Sequence, residues 1–151
     1  MSTRCQLGVY KSQDTPLEEW EVLLYRHSDG YPGKEDGSEV GVLPDIIPFL
    51  KRFDKERGIG DLEYCGAWLM HHLIEGHIRD LKKFLKERPE LHGKNKGGKD
   101  FLGHGICKDF HVDIEYFYKI YPSGVDVFEV GYEKPPSEWK RIKRILLERK
   151  K

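Results

Sequence analysis

VDIEYFYKIYPSGVDVFEVGYE, residues 112–133, is the stretch on which the fold reading turns. Val112, Ile114, Tyr116, Tyr118 and Ile120 alternate with Asp113, Glu115, Phe117 and Lys119. A period of two is that of a strand with one buried face. Pro122, Ser123 and Gly124 then make a tight turn, and residues 125–133 read as a returning strand. Two strands joined by so short a turn form a hairpin, so their pairing is antiparallel.

Upstream of the hairpin, residues 101–108 read as a further strand, and residues 92–100, HGKNKGGKD, as a basic glycine-rich loop. Before that loop lies a helical pattern from Asp61, its N-cap, to about Arg88, where Pro89 stops it. Leu62, Cys65, Leu69 and Leu73 mark one face, and Ile78, Leu81 and Leu85 continue it with a phase shift near Gly76. A glycine inside a helix costs about 1 kcal/mol relative to alanine. Gly66 and Gly76 therefore point to close packing or a bend, and the segment could be two helices. Residues 43–57 form an earlier helix with Asp45 as N-cap, Pro48 in the first turn and a stripe of Ile46, Phe49, Leu50 and Phe53.

At the N-terminal side, residues 4–11 and 20–27 are two strands whose connection is too short for a crossover helix, so they pair antiparallel. At the C-terminal side, Pro135 and Pro136 break the chain and Ser137 caps a last helix with a stripe of Trp139, Ile142, Ile145 and Leu146. Hairpins dominate, and strict strand–helix alternation is absent. The expected architecture is a single α+β domain over residues 1–151. It has an antiparallel sheet of about five strands, with about three helices packed on one face. Phe49, Phe53, Leu69, Leu73, Ile142 and Leu146 are the expected core.

Charged residues make up 34% of the chain, well above the usual quarter, yet the net charge is zero. No global field draws the chain to nucleic acid or an anionic membrane, so an electrostatic partner would have to read a local patch. One Asn and two Gln among many Lys and Glu make a thermophile-like composition. Cys5, Cys65 and Cys107 are dispersed and odd in number, which suits reduced thiols in a cytoplasm and no disulfide. No apolar run suits a signal peptide or a membrane span, so the expected location is cytoplasmic, with no membrane contact.

The richest polar chemistry sits where the second strand ends, in VLLYRHSDGYPG, residues 22–33. Strand ends favour sites, because the rigid element fixes geometry while the loop admits a ligand. Arg26, His27, Asp29 and Tyr31 are the candidate binding residues. His27 and Asp29, two apart on an extended strand, share a face and are the catalytic candidates. A carboxylate beside an imidazole fixes its tautomer and raises its basicity, and Arg26 could clamp a phosphate or carboxylate. Against this stands turn chemistry, since Asp29-Gly30 and Pro32-Gly33 suit turns and Asp29 could bond its own backbone.

The segment YRHSDGYP, residues 25–32, with GVLPDIIPFL, residues 41–50, resembles a family of small uncharacterised prokaryotic proteins. The resemblance covers about a third of the chain. It implies a small cytoplasmic α/β-type protein and carries no catalytic assignment.

Two further motifs are weaker. MHHLIEGH, residues 70–77, sets His71 and Glu75 at i, i+4 and His72 and Glu75 at i, i+3, with His77 beyond. That spacing supplies too few ligands for zinc, so no metal and no cofactor is expected. GKNKGGKD, residues 93–100, nearly matches a phosphate loop, but Asp100 stands where the hydroxyl belongs and a strand follows where a helix should. Lys94, Lys96 and Lys99 could still touch nucleic-acid phosphates, extended by Lys140, Arg141, Lys143 and Arg144. The sequence thus supports a small ligand-binding or interaction module with its site at the end of the second strand. The alternative is a small hydrolase or nuclease using His27 and Asp29, with or without a metal.

Overall fold

A computed structural model describes residues 3–88 and 103–147. Among the described residues are six strands, β1 (Cys5–Val9), β2 (Val22–Arg26), β3 (His104–Ile106), β4 (Tyr116–Tyr121), β5 (Gly124–Glu129) and β6 (Lys140–Leu146). They form one sheet in the order β3-β2-β1-β4-β5-β6. The α-helices among the described residues are α1 (Val42–Glu56) and α2 (Leu62–Glu87), and a 3-10 turn spans Pro136–Glu138. The α+β class and the β1–β2 and β4–β5 antiparallel pairs stand as expected.

Three expectations are corrected. The sheet is mixed, because β1 runs parallel to β4. Everything from β2 to β3 intervenes between those strands, and so long a connection allows parallel pairing. The expected C-terminal helix is strand β6, paired antiparallel with β5. Val127 pairs with Lys143 and Phe128 with Arg141, so Ile142 is an extra residue bulged out of the ladder. Ile142 and Leu146 are accordingly exposed, whereas Phe49, Phe53, Leu69 and Leu73 are buried. Finally, Pro48 lies inside α1 beyond its first turn, because the N-cap is Gly41 and not Asp45. The loop over residues 92–100, with Lys94, Lys96 and Lys99, lies outside the described residues.

Both helices pack on one face of the sheet, where Ile46, Leu50, Leu69 and Leu73 meet Leu7, Leu24, Tyr118, Ile120 and Val125. Gly66 explains how α2 comes so near: a Cβ there would lie 2.8 Å from both Val22 methyls. At Gly76 a Cβ would meet only Arg79, and α2 continues through it as a single helix. Loops cover the second face, burying Tyr10, Leu23, Ile114, Phe117, Tyr121 and Trp139. Phe117 and Lys119, which alternate with the helix-facing Tyr118 and Ile120, are buried beneath them. Cys5, Cys65 and Cys107 are unbridged, and burial pushes the Cys5 and Cys65 thiols up to about 12.

Candidate functional site

β2 ends at Arg26, and its antiparallel register sets Arg26 directly opposite His104 on β3. A cleft of about 270 Å³ opens there, between the strand ends, the start of α1 and the middle of α2. Arg26, Ser28 and Asp29 line it from the β2 end, Asp45 from α1, His72, His77, Arg79 and Asp80 from α2, and His104 from β3.

The strand alternation decides which residues reach this cleft. Leu24 and Arg26 turn toward the helices; Leu23 and Tyr25 turn toward the loop-covered face. His27 follows Tyr25: its Nδ1 lies 3.0 Å from the Tyr25 Oη, and its backbone N–H donates to the Gly103 carbonyl. The expected His27–Asp29 pair is therefore separated, since Asp29 lines the cleft and His27 does not. Tyr31 is also outside the lining; its phenol is raised chiefly by the charge of Asp29. Its carbonyl accepts the first N–H of α1, from Val42, so the residue helps to seat that helix.

The segment is held from beneath. The Tyr118 hydroxyl donates 2.6 Å to the Gly30 carbonyl, and the Gly30 N–H donates to the Thr3 carbonyl. A Cβ on Gly30 would lie 2.9 Å from the Arg4 and Cys5 backbone, so only glycine fits. Asp29 just before it adopts φ 56°, a left-handed conformation that asparagine and aspartate tolerate better than most residues.

Within the cleft, Arg26 is fixed by two bonds. Its Nε donates to the Ser28 carbonyl at 2.9 Å, and its Nη1 donates to Asp45 Oδ2 at 2.9 Å. His72 stacks on Phe49 and places Nε2 2.9 Å from the Asp45 carbonyl oxygen. His77 and His104 meet edge to face, ring centroids 5.7 Å apart. The Nε2 atoms of both are buried without a hydrogen-bond partner. Burial, then the charges of Arg26 and His77, pull His104 down to about 4, so its ring is neutral at pH 7. A buried polar atom left unpaired costs roughly 1–3 kcal/mol, so two in one cleft are a marked departure from the satisfied interior.

His71, by contrast, lies on the outer side of α2, bonded to Glu75 at 2.8 Å. Among the described residues no group of three or more His, Cys, Asp or Glu side chains could hold a metal ion. No helix there is long and apolar enough to cross a membrane. The basic side chains of β6 are partly spent: Lys143 pairs with Glu35 and Arg144 with Asp126.

Sequence reasoning missed Arg79, Asp80 and His104 and read Asp45 only as a helix cap. The signal for His104 was GHG, residues 103–105. A polar ring between two glycines in a strand has room for another element to approach. Comparison with protein-family models, curated proteins and solved structures gives no match for this chain.

Proposed function

We propose that the chain is a ligand-binding module and that its ligand is a small cationic or zwitterionic molecule carrying an amine. The observation that carries this reading is the pair of buried, unpartnered Nε2 atoms of His77 and His104 in the cleft lining. A ligand toward which either ring turns its Nε2 removes a cost the empty cleft bears.

Charge sets the class. Arg26 and Arg79 bring two positive charges to the lining, and Asp29, Asp45 and Asp80 bring three negative ones. With a neutral His104, that balance favours an ammonium group and opposes a polyphosphate. Arg26 is already engaged by Asp45, which leaves Arg79 as the cation better placed to meet a ligand carboxylate. At about 270 Å³ the cleft lies below the ~300–1,000 Å³ typical of drug-sized ligands, which suits a compact molecule. A hydrolase that pairs His27 with Asp29 is not favoured, because the two side chains leave the strand end on opposite faces of the sheet.

The test is a thermal-shift and calorimetric screen of amines, amino acids, nucleotides, short oligonucleotides and divalent metal salts. Amine-bearing compounds should raise the melting temperature of the wild type and have no effect on His104→Phe. Stabilisation by oligonucleotides alone, or equal stabilisation of wild type and variant, would sink the reading.

A further inference from the structure

The outer face of α2 carries Tyr64, Trp68, His71, Glu75, Ile78, Lys82 and Leu85 at alternating spacings of four and three. This is the seam spacing of a coiled coil, sustained over three heptads. The core-facing residues Cys65, Leu69 and Leu73 lie on the other side of the helix. Tyr64 is 49% and Trp68 53% exposed, so the stripe presents two large aromatic rings to solvent. A shallow groove runs beside it, lined by His71, Ile74, Glu75, Ile78, Arg79 and Lys82.

We infer that this stripe is the interface of an antiparallel homodimer, with the two-fold axis passing α2 at the level of Leu73. In an antiparallel coiled coil each seam position faces its alternate in the partner helix. Placing the axis at residue 73 satisfies six seam positions at once. Trp68 faces the second copy's Ile78, and Tyr64 faces its Lys82. His71 faces its Glu75, and the same three contacts repeat across the axis. Each contact is chemically matched: an aromatic knob on an aliphatic residue, a cation on a ring, and an imidazole on a carboxylate.

The groove supplies independent support. Glu75, Ile78, Arg79 and Lys82 are the four residues that surround a knob packed at position 78, and the groove is already open there. The Trp68 ring of the second copy is the knob this register delivers. Charge favours the same register. The His71–Glu75 pair of each chain, 2.8 Å apart, meets its copy across the axis with imidazole facing carboxylate. Arg57, stacked 3.9 Å over Tyr64, would repel an incoming Lys82, but Asp61 bonds Arg57 at 2.8 Å and supplies the balancing charge. A parallel pairing would instead set Glu75 on Glu75 and Lys82 on Lys82. The rest of the ligand cleft's lining on α2, His72, Gly76, His77 and Asp80, lies away from the stripe, and Arg79 is the residue shared by cleft and groove.

Sedimentation equilibrium of the full chain should give twice the chain mass, falling toward the monomer mass on dilution. Trp68→Glu and Ile78→Glu should each shift the mass to that of the monomer, with an unchanged circular dichroism spectrum and a cooperative melt, at a lower temperature than the dimer's, as proof of folding. Register is read by the double variant Tyr64→Cys/Lys82→Cys in a Cys107→Ser background. The two positions are about 27 Å apart along one helix, so a disulfide between them must join two chains. Oxidation should give a covalent dimer from the double variant and none from either single one. A wild type that stays monomeric at every concentration would overturn the inference and leave the stripe to a partner of different sequence. Equal cross-linking of single and double variants would overturn the register.

Discussion

On the loop-covered face of the sheet, the Asp126 carboxylate accepts two hydrogen bonds from Arg144 and one from Tyr121, at 2.7–2.9 Å. Beside it, buried Lys119 donates to the carbonyls of Gln13 and Thr15. On the helix-covered face, His77 and His104 each bury a ring nitrogen with no partner. Both faces carry ionisable groups into the interior; among the described residues, the loop-covered one leaves only the Arg4 Nε unpaired, on a guanidinium otherwise bonded to Asp113, whereas the helix-covered one leaves two imidazole nitrogens in a single cleft. The satisfied network clamps the 10–20 loop and β6 to the sheet, which is structural work. The unsatisfied pair lines a cleft. The lesson is that buried polarity alone does not mark a site; incomplete hydrogen bonding inside a cavity does.

The contrast can be broken most forcefully at Asp126. Asp126→Ala strands the Tyr121 hydroxyl and the Arg144 guanidinium together. Breaking a buried pair costs about 3–5 kcal/mol, and the Arg144 side chain retains enough exposure to rehydrate, so about 2–3 kcal/mol is expected. Urea unfolding with an unchanged m-value would register it. A loss near zero would remove the structural half of the comparison.

Acid separates the two faces by pH window. His104 titrates near 4 in the folded chain against 6.5 in the unfolded one. Between those values the unfolded chain binds the proton and the folded chain does not, so stability falls as pH drops from 6.5 toward 4. Allowing for the ring's remaining exposure, the loss is about 1–2 kcal/mol. At Asp126 burial alone would raise the carboxyl, but the bonds from Arg144 and Tyr121 outweigh it and hold the group below the usual range. Its contribution is therefore kept above the unfolded carboxylate range and lost only as pH falls through the lowered value. Stability measured against pH should show two separate declines, with the upper one absent in His104→Phe.

A smaller effect sharpens the same point. At neutral pH and without ligand, His104→Phe removes a buried unpaired nitrogen and should gain about 1 kcal/mol. A loss of that size would mean the nitrogen is satisfied in solution. The smallest effect is at Asp29. Asp29→Gly relieves a left-handed backbone and should stabilise by less than about 1 kcal/mol, visible as a small rise in melting temperature.

How far the sequence could be read follows from the range of each interaction. α1 and α2 were legible because their apolar periodicity is local, and β4–β5 because Pro122 to Gly124 allow little but a turn. The β1–β4 pairing was not, because residues 5–9 and 116–120 carry no mark of each other. In β6 the bulged Ile142 shifts the alternation by one residue. Trp139, Ile142 and Ile145 then recur every three positions, which imitates a helix. The candidate site was half legible. Arg26 and Asp29 stood out at a strand end, but the pleat sends His27 away, and His104 arrives from a strand almost 80 residues on.

On the proposed reading, His77 and His104 await a ligand while the histidines of the other face do not. Nitrogen-15 spectra of the imidazoles, recorded while the protein is titrated with amine-bearing ligands, test it most directly. The Nε2 resonances of His77 and His104 should move together and saturably, while those of His27, bonded to Tyr25, and His111, packed at a tilt against Tyr25, stay fixed. Saturable movement confined to His27 and His111, or no movement at His77 and His104 with any compound, would contradict it.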